Sequence, residues 1–166
     1  MTTDRKVHLT ISVLNRRSLL ITGGAAMFLH PLLAAAQEAP PQAMERSKIF
    51  EEAYAMLTAG GTPLEGKVTL ELPEIAENGN FVPVTITVDS PMTPEDYVKT
   101  IHLLSTANPV ARVASFHLSP INGVAKVQSR MRLAKTQDVI ALAVLSNGTL
   151  AVGSSTVKVT IGGCSS

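Results

Sequence analysis

The chain of 166 residues contains one cysteine, Cys164, which lies third from the end in the segment VKVTIGGCSS. A thiolate is a strong nucleophile and forms covalent bonds with other sulfur atoms, so this residue is the first candidate for chemistry. Because the chain has no second cysteine, Cys164 has no disulfide partner within it. In an exported protein, a single cysteine indicates either an intermolecular bond or a thiol kept available for reaction.

The residues that flank the cysteine are all small. Gly162 and Gly163 precede it, and Ser165 and Ser166 follow it. Glycine accepts backbone angles that other residues avoid, so the glycine pair predicts a hinge. We predict a thin, flexible arm over residues 162–166, which carries the sulfur about 10 Å beyond the last strand.

The sequence around Cys164 does not activate its thiol. No Lys, Arg or His lies within five residues, and Lys158 is six residues away. The terminal carboxylate of Ser166 is negative and disfavours the thiolate. The pattern therefore predicts a chain that carries a reacting group into the pocket of a partner and is not itself an enzyme.

The first 36 residues resemble an export signal. Arg16 and Arg17 precede an apolar run that starts at Leu19, and the small residues Ala34 and Ala36 follow it. This layout is typical of a cleaved signal, and the paired arginines indicate the twin-arginine route to the periplasm. We predict cleavage after Ala36.

The apolar run is too interrupted for a membrane anchor, which needs about 20 continuous apolar residues. The interruptions are Gly23, Gly24, His30 and Pro31. Removing residues 1–36 takes away four basic residues and one acidic residue, which changes the formal charge from +1 to −2. This balance argues against nucleic-acid binding and against binding to anionic membranes.

The rest of the chain predicts one domain of ordinary size. Residues 37–43 form a linker in which Pro40 and Pro41 oppose helix formation. An amphipathic helix follows from Met44 and ends at Gly60, and we expect its apolar stripe to cover one edge or end of the domain. The apolar positions of this stripe are Ile49, Phe50, Ala53, Tyr54 and Leu57.

After Pro63 the apolar residues recur with a period of two, which is typical of strands. In FVPVTITV, for example, Val82, Val84, Ile86 and Val88 share one face. Similar runs are KVTLEL, VARVASFHL, AKVQSRMRL, DVIALAVL and STVKVTI. Turn signals separate the runs, and strands do not alternate with helices. Residues 44–161 are therefore predicted to form the helix followed by an all-β, immunoglobulin-like antiparallel sandwich.

Taken together, the paired-arginine signal, the short helix, the immunoglobulin-like run of strands and the terminal VKVTIGGC resemble the Y subunit of the Sox sulfur-oxidation carrier. The resemblance implies that Cys164 bears thiosulfate-derived sulfur intermediates and that Gly162 and Gly163 form its swinging arm. The usual ending of that family has two glycines after the cysteine, where this chain has Ser165 and Ser166.

The resemblance also implies partners. It predicts a heterodimer with a Z subunit that lacks its own signal. The arm would enter a c-type cytochrome conjugating enzyme, a sulfate-releasing hydrolase and a sulfur dehydrogenase in turn. No cofactor and no metal site are expected in the chain itself.

Three other kinds of protein are alternatives to a carrier: a copper protein, an enzyme, and a binding or structural domain. A copper site would need a His and a weak axial ligand after the cysteine, and only His102 and His117 remain after signal removal. An enzyme would need a base held near Cys164, for which His117 is the candidate. An exported immunoglobulin-like binding or structural domain would use the cysteine only for an intermolecular disulfide.

Overall fold

One α-helix and nine β-strands make up most of residues 44–163, the part of the chain that the computed structural model describes. In chain order they are α1 (Lys48–Thr58), β1 (Leu64–Glu65), β2 (Val68–Glu71), β3 (Ile75–Asn78), β4 (Val82–Val88), β5 (Val98–Ser105), β6 (Arg112–His117), β7 (Ala125–Met131), β8 (Gln137–Leu145) and β9 (Leu150–Ile161). A short 3₁₀ turn, Pro120–Asn122, lies between β6 and β7.

The strands form two sheets. The larger sheet has the order β1-β9-β8-β5-β6, and β3 also pairs with β9. The smaller sheet has the order β2-β4-β7. All pairs are antiparallel except β1 with β9 and β3 with β9, which are parallel.

The core lies between the two sheets and is almost entirely aliphatic. The alternation in β4 buries the four residues that the sequence placed on one face: Val82, Val84, Ile86 and Val88. They meet residues such as Ile101, Leu103 and Val139 from the larger sheet. Burial of each such side chain contributes about 1.5–3 kcal/mol to folding.

Helix α1 covers the outer face of the larger sheet. Its N-cap is Ser47, whose hydroxyl oxygen accepts a hydrogen bond from the amide of Phe50 at 3.2 Å. Phe50 is fully buried and packs with Leu104, Ala111 and Ile140 in a second apolar cluster. The helix ends at Thr58, and its C-cap residue, Ala59, adopts a left-handed conformation with φ of 48°.

The structure confirms the predicted helix followed by an all-β sandwich, with three corrections. The helix covers a face of the sheet and not an edge or end. Strand β5 was not predicted, although it lies in the middle of the larger sheet. Its outer side is covered by α1, so its buried residues do not follow a period of two. The two parallel pairings with β9 were not predicted either.

The sandwich has two ends, which we name by what lies there. The tail end holds Gly163 and the connections 79–81, 106–111 and 132–136. The opposite end holds the connections 89–97, 118–124 and 146–149.

Several predictions lie outside the described residues. These are the signal with Arg16, Arg17, Ala34 and Ala36, the linker 37–43, and the last three residues, Cys164, Ser165 and Ser166. Within residues 44–163, no helix is long and apolar enough to cross a membrane.

Candidate functional site

Gly163, the last described residue, marks where Cys164 leaves the domain. It follows β9, a strand of 12 residues that pairs with β8 on one side and with β1 and β3 on the other. Gly163 therefore continues β9, the strand that pairs with the largest number of other strands.

Backbone hydrogen bonds hold Gly163 against the domain. Its amide donates to the carbonyl of Leu133 at 2.8 Å. The amide of Leu133 in turn donates to the carbonyl of Gly79 at 2.8 Å, and the amide of Gly79 donates to the carbonyl of Ile161 at 2.7 Å. Three separate chain segments thus meet here, and Gly163 is buried between them. We call this meeting point of Gly79, Leu133 and Gly163 the tail base.

The glycines at this meeting point allow backbones to approach closely. A Cβ on Gly162 would overlap the carbonyl oxygen of Ala134, and one on Gly163 would overlap the backbone of Gly79 and Asn80. A Cβ on Gly79 would lie 2.8 Å from the amide nitrogen of Gly163. None of the three has a positive φ. Gly162, which is exposed, and Gly163, which is buried, therefore both lie against the domain. The rest of the predicted arm, residues 164–166, lies outside the described residues.

Two buried amide side chains, Asn108 and Gln137, hold the segment that bonds to Gly163. The Nδ2 of Asn108 donates to the carbonyl of Arg132 at 2.8 Å, and its Oδ1 accepts from the amide of Ala134 at 2.9 Å. Gln137 donates from Nε2 to the same Oδ1 at 2.8 Å, and its Oε1 accepts from the amide of Ala107 at 2.8 Å. The segment that contains Leu133 is therefore fixed on both sides of the bond to Gly163.

Sequence reasoning missed this amide pair. Asn108 precedes Pro109, a dipeptide that marks a turn, and this was the only available signal. Nothing next to Gln137 in the sequence indicates burial.

A groove of 540 Å³ opens beside the tail base, between the edge strands β6 and β7. Three arginines line it, Arg112, Arg130 and Arg132, and its lining contains no acidic residue. Two apolar side chains in the lining are exposed, Phe81 at 62% and Val110 at 67%. The guanidinium of Arg130 lies 4.5 Å from the centre of the Phe81 ring. We call this feature the arginine groove.

Both described histidines lie on the β5–β6 pair, where they bond to hydroxyl groups. The Nδ1 of His102 lies 2.7 Å from the Oγ of Ser115, and the Nδ1 of His117 lies 3.2 Å from the Oγ1 of Thr100. Burial lowers the pKa of His102, and the positive charges of Arg112 and His117 lower it further. Within residues 44–163, no three His, Cys, Asp or Glu side chains form a group that could hold a metal ion.

Comparison with known proteins identifies similar chains. Residues 55–164 match the model of the family described as sulfur oxidation protein SoxY. The solved sulfur carrier protein SoxY from Chlorobium limicola f thiosulfatophilum is 35% identical, with a TM-score of 0.54 over 67% of this chain and 96% of that chain. No curated protein sequence matches the chain.

A second solved structure shares the fold alone. The superoxide reductase (neelaredoxin) from Ignicoccus hospitalis is 17% identical, with a TM-score of 0.50 over 57% of this chain and 80% of that chain.

Proposed function

Because the chain belongs to the SoxY family of sulfur oxidation proteins, we propose that it carries sulfur intermediates covalently on Cys164 and presents them to separate enzymes. One observation supports this most directly. The family match runs over residues 55–164 and therefore ends on the only cysteine of the chain.

The first step would join the thiol to thiosulfate. Cys164–SH and S₂O₃²⁻ form Cys164–S–S–SO₃⁻, with release of one proton and two electrons. The c-type cytochrome of the conjugating enzyme is the proposed electron acceptor. A hydrolase would then add water across the S–SO₃⁻ bond, which leaves a persulfide on Cys164 and releases sulfate and one proton. A sulfur dehydrogenase would oxidise the outer sulfur of the persulfide with three water molecules to Cys164–S–SO₃⁻, releasing seven protons and passing six electrons to its own electron acceptor. A second hydrolysis would then release sulfate and one proton and restore the Cys164 thiol.

The chain itself would not turn over substrate. No base or cation lies near Cys164 in the sequence, so its activation falls to the pocket of the enzyme that receives it. The buried tail base supports a carrier whose domain positions the tail and whose partner enzymes perform the chemistry. The domain holds Gly163 in place, while the reacting sulfur lies one residue further along the chain.

We further propose that the protein works in the periplasm, exported through the twin-arginine route, as a heterodimer with a Z-like subunit. The signal carried by Arg16 and Arg17 supports the route. Intact mass of the exported protein measures the mature N-terminus, which is expected at Gln37. A chain that keeps Met1 would contradict the export proposal.

Replacement of the cysteine tests the carrier proposal. We expect Cys164→Ser to abolish growth-linked thiosulfate oxidation, because serine cannot form the S–S bond. Intact mass of the wild-type protein from the same cells should show sulfur or thiosulfonate additions on the last tryptic peptide. Normal thiosulfate oxidation in the Cys164→Ser strain would refute the proposal.

A further inference from the structure

We propose that the arginine groove is the docking surface for the enzymes that receive Cys164, and that these enzymes present carboxylates to Arg112, Arg130 and Arg132. The inference rests on the proposed carrier function, because it concerns the same thiol. It adds a recognition surface on the domain to the reacting atom on the tail.

Covalent geometry places the docking surface near Gly163. Consecutive Cα atoms are about 3.8 Å apart, so a thiol one residue beyond a held glycine stays within a few ångströms of the domain. Any active site that reaches this thiol must therefore cover the protein surface around Gly163. A longer free arm would remove this constraint. The hydrogen bond from the amide of Gly163 to Leu133 instead leaves only the residues after Gly163 free of the domain.

The arginine groove forms part of that surface. Asn80, which lines the groove, is one of the residues that a Cβ on Gly163 would meet. Arg132, also in the lining, directly precedes Leu133, the hydrogen-bond partner of Gly163. The groove and the tail base therefore share two chain segments.

The chemistry of the groove fits a protein partner with an acidic rim. Guanidinium groups bind carboxylates with two parallel hydrogen bonds, and arginine and aromatic residues are enriched at protein interfaces. Arg130 over the exposed ring of Phe81 is such a combination. The predicted mature chain has a formal charge of −2, so this cluster of three positive charges is a local feature.

The occupant is a visiting enzyme and not a permanent subunit. A surface that several enzymes must cover in turn has to be free between visits, so the Z-like subunit is expected elsewhere. Charged contacts also suit brief encounters, because they raise association rates and weaken with salt.

The test uses the mature protein with its Z-like subunit and the purified c-type cytochrome conjugating enzyme of the same organism. The first variant carries Arg112→Gln, Arg130→Gln and Arg132→Gln. All three side chains are exposed, so the variant should fold, which circular dichroism would check. We expect KM for the carrier to rise about tenfold with little change in kcat, and the difference to vanish in about 0.5 M salt.

A matched control removes the same number of charges from the opposite end of the sandwich. It carries Lys67→Gln, Lys99→Gln and Lys126→Gln, at the end of the sandwich opposite the tail base. Lys99 and Lys126 are exposed, and Lys67 is half-buried. Its KM should stay within about twofold of the wild-type value. A third variant with lysine at the three arginine positions should recover part of the lost affinity, because it keeps the charge without the paired hydrogen bonds.

The outcomes separate the two proposals. Equal KM values in the variant with three Arg→Gln changes and in the control with three Lys→Gln changes would overturn the docking proposal. A fall in kcat at unchanged KM would also overturn it, since the arginines would then act on the reacting sulfur anion. Absence of any adduct on wild-type Cys164 at saturating enzyme would instead refute the carrier function itself.

Discussion

The two ends of the sandwich are held in different ways. At the opposite end, side chains close turns locally: Asn147 Oδ1 accepts from the amide of Thr149 at 2.9 Å, and Asn122 Oδ1 accepts from the amide of Ser119 at 2.8 Å. At the tail end, Asn108 bonds to the carbonyl of Arg132, which is 24 residues away in the sequence. The opposite end is thus held by side chains that close their own turns and by one hydroxyl, that of Ser146, which bonds to Tyr97 and Glu95. The tail end is held by a pair of buried, long-range amide side chains.

The buried side-chain amides, Asn108 and Gln137, therefore lie at the tail end. A turn closed by its own side chain needs nothing from the rest of the protein. The tail end instead joins both sheets through Asn108, Leu133 and Gly79, so the position of Gly163 depends on the whole domain being folded. Substitutions at both ends test this contrast.

The largest effect is expected from Asn108→Leu. Leucine has a similar size but cannot bond to Arg132, Ala134 or Gln137, so buried polar groups lose their partners. Each such loss costs about 1–3 kcal/mol, and we expect the free energy of unfolding to fall by about 3 kcal/mol or more. Urea denaturation measures the change.

The matched variant at the opposite end is Asn147→Ala, which removes one exposed, local hydrogen bond. Its expected cost is about 1 kcal/mol or less. Equal losses in the two variants would show that the two ends do not differ in the way described.

A smaller effect is expected from Gly163→Ala. The new methyl group would push against the backbone of Gly79 and Asn80, at a cost of about 1–3 kcal/mol. Hydrogen exchange at the amides of Gly163 and Leu133 should accelerate as their bonds open. In Gly148→Ala, a position with φ of 82° and open space around the Cβ, the cost is about 1 kcal/mol and arises from backbone strain alone.

Unchanged exchange at both amides in Gly163→Ala would show that the tail base tolerates a side chain there. In that case, close approach of the backbones would not explain the glycine.

The smallest effect concerns His102, on the strand between the two ends. Its pKa is lowered in the folded state by burial and by Arg112 and His117, so folding favours the neutral ring. The stability that the neutral ring contributes is present above the unfolded pKa of about 6.5 and is lost as pH falls through the folded pKa. Thermal melting should therefore show a larger drop in Tm between pH 7.5 and pH 5 for the wild type than for His102→Gln.

Arg112→Gln removes one of the charges that lower the pKa of His102. An NMR titration should then place the pKa of His102 closer to its ordinary value. A titration curve identical to that of the wild type would show that the charge of Arg112 is screened from the ring.

The same contrast explains which features could be predicted from the sequence. The turn around Asn147 and the buried face of β4 were predictable, because neighbours in the chain determine them. Strand β5 was not, since α1 covers its outer side and a polar His102 interrupts its apolar residues. The period of two is lost when both faces of a strand are buried.

In the candidate site too, some residues could be predicted from their neighbours in the sequence and others could not. Cys164 could be singled out because its chemistry and its solitary position are properties of the sequence itself. The role of Gly163 could not, because glycine suits both a hinge and a close approach of two backbones. Only the segment across from it, Gly79 and Asn80, decides between the two. The arginine groove likewise brings together residues from three separate segments of the chain, 80–81, 108–113 and 130–132.

The length of β9 has a mechanical consequence for the proposed carrier function. A pull on the end of the chain runs along the axis of a strand with 12 residues, bonded to β8 over most of its length and to β3 near its end. The load is therefore shared by many bonds in shear and does not open them one at a time. An enzyme that tugs the thiol into a narrow channel would move the whole domain before it peeled the strand away.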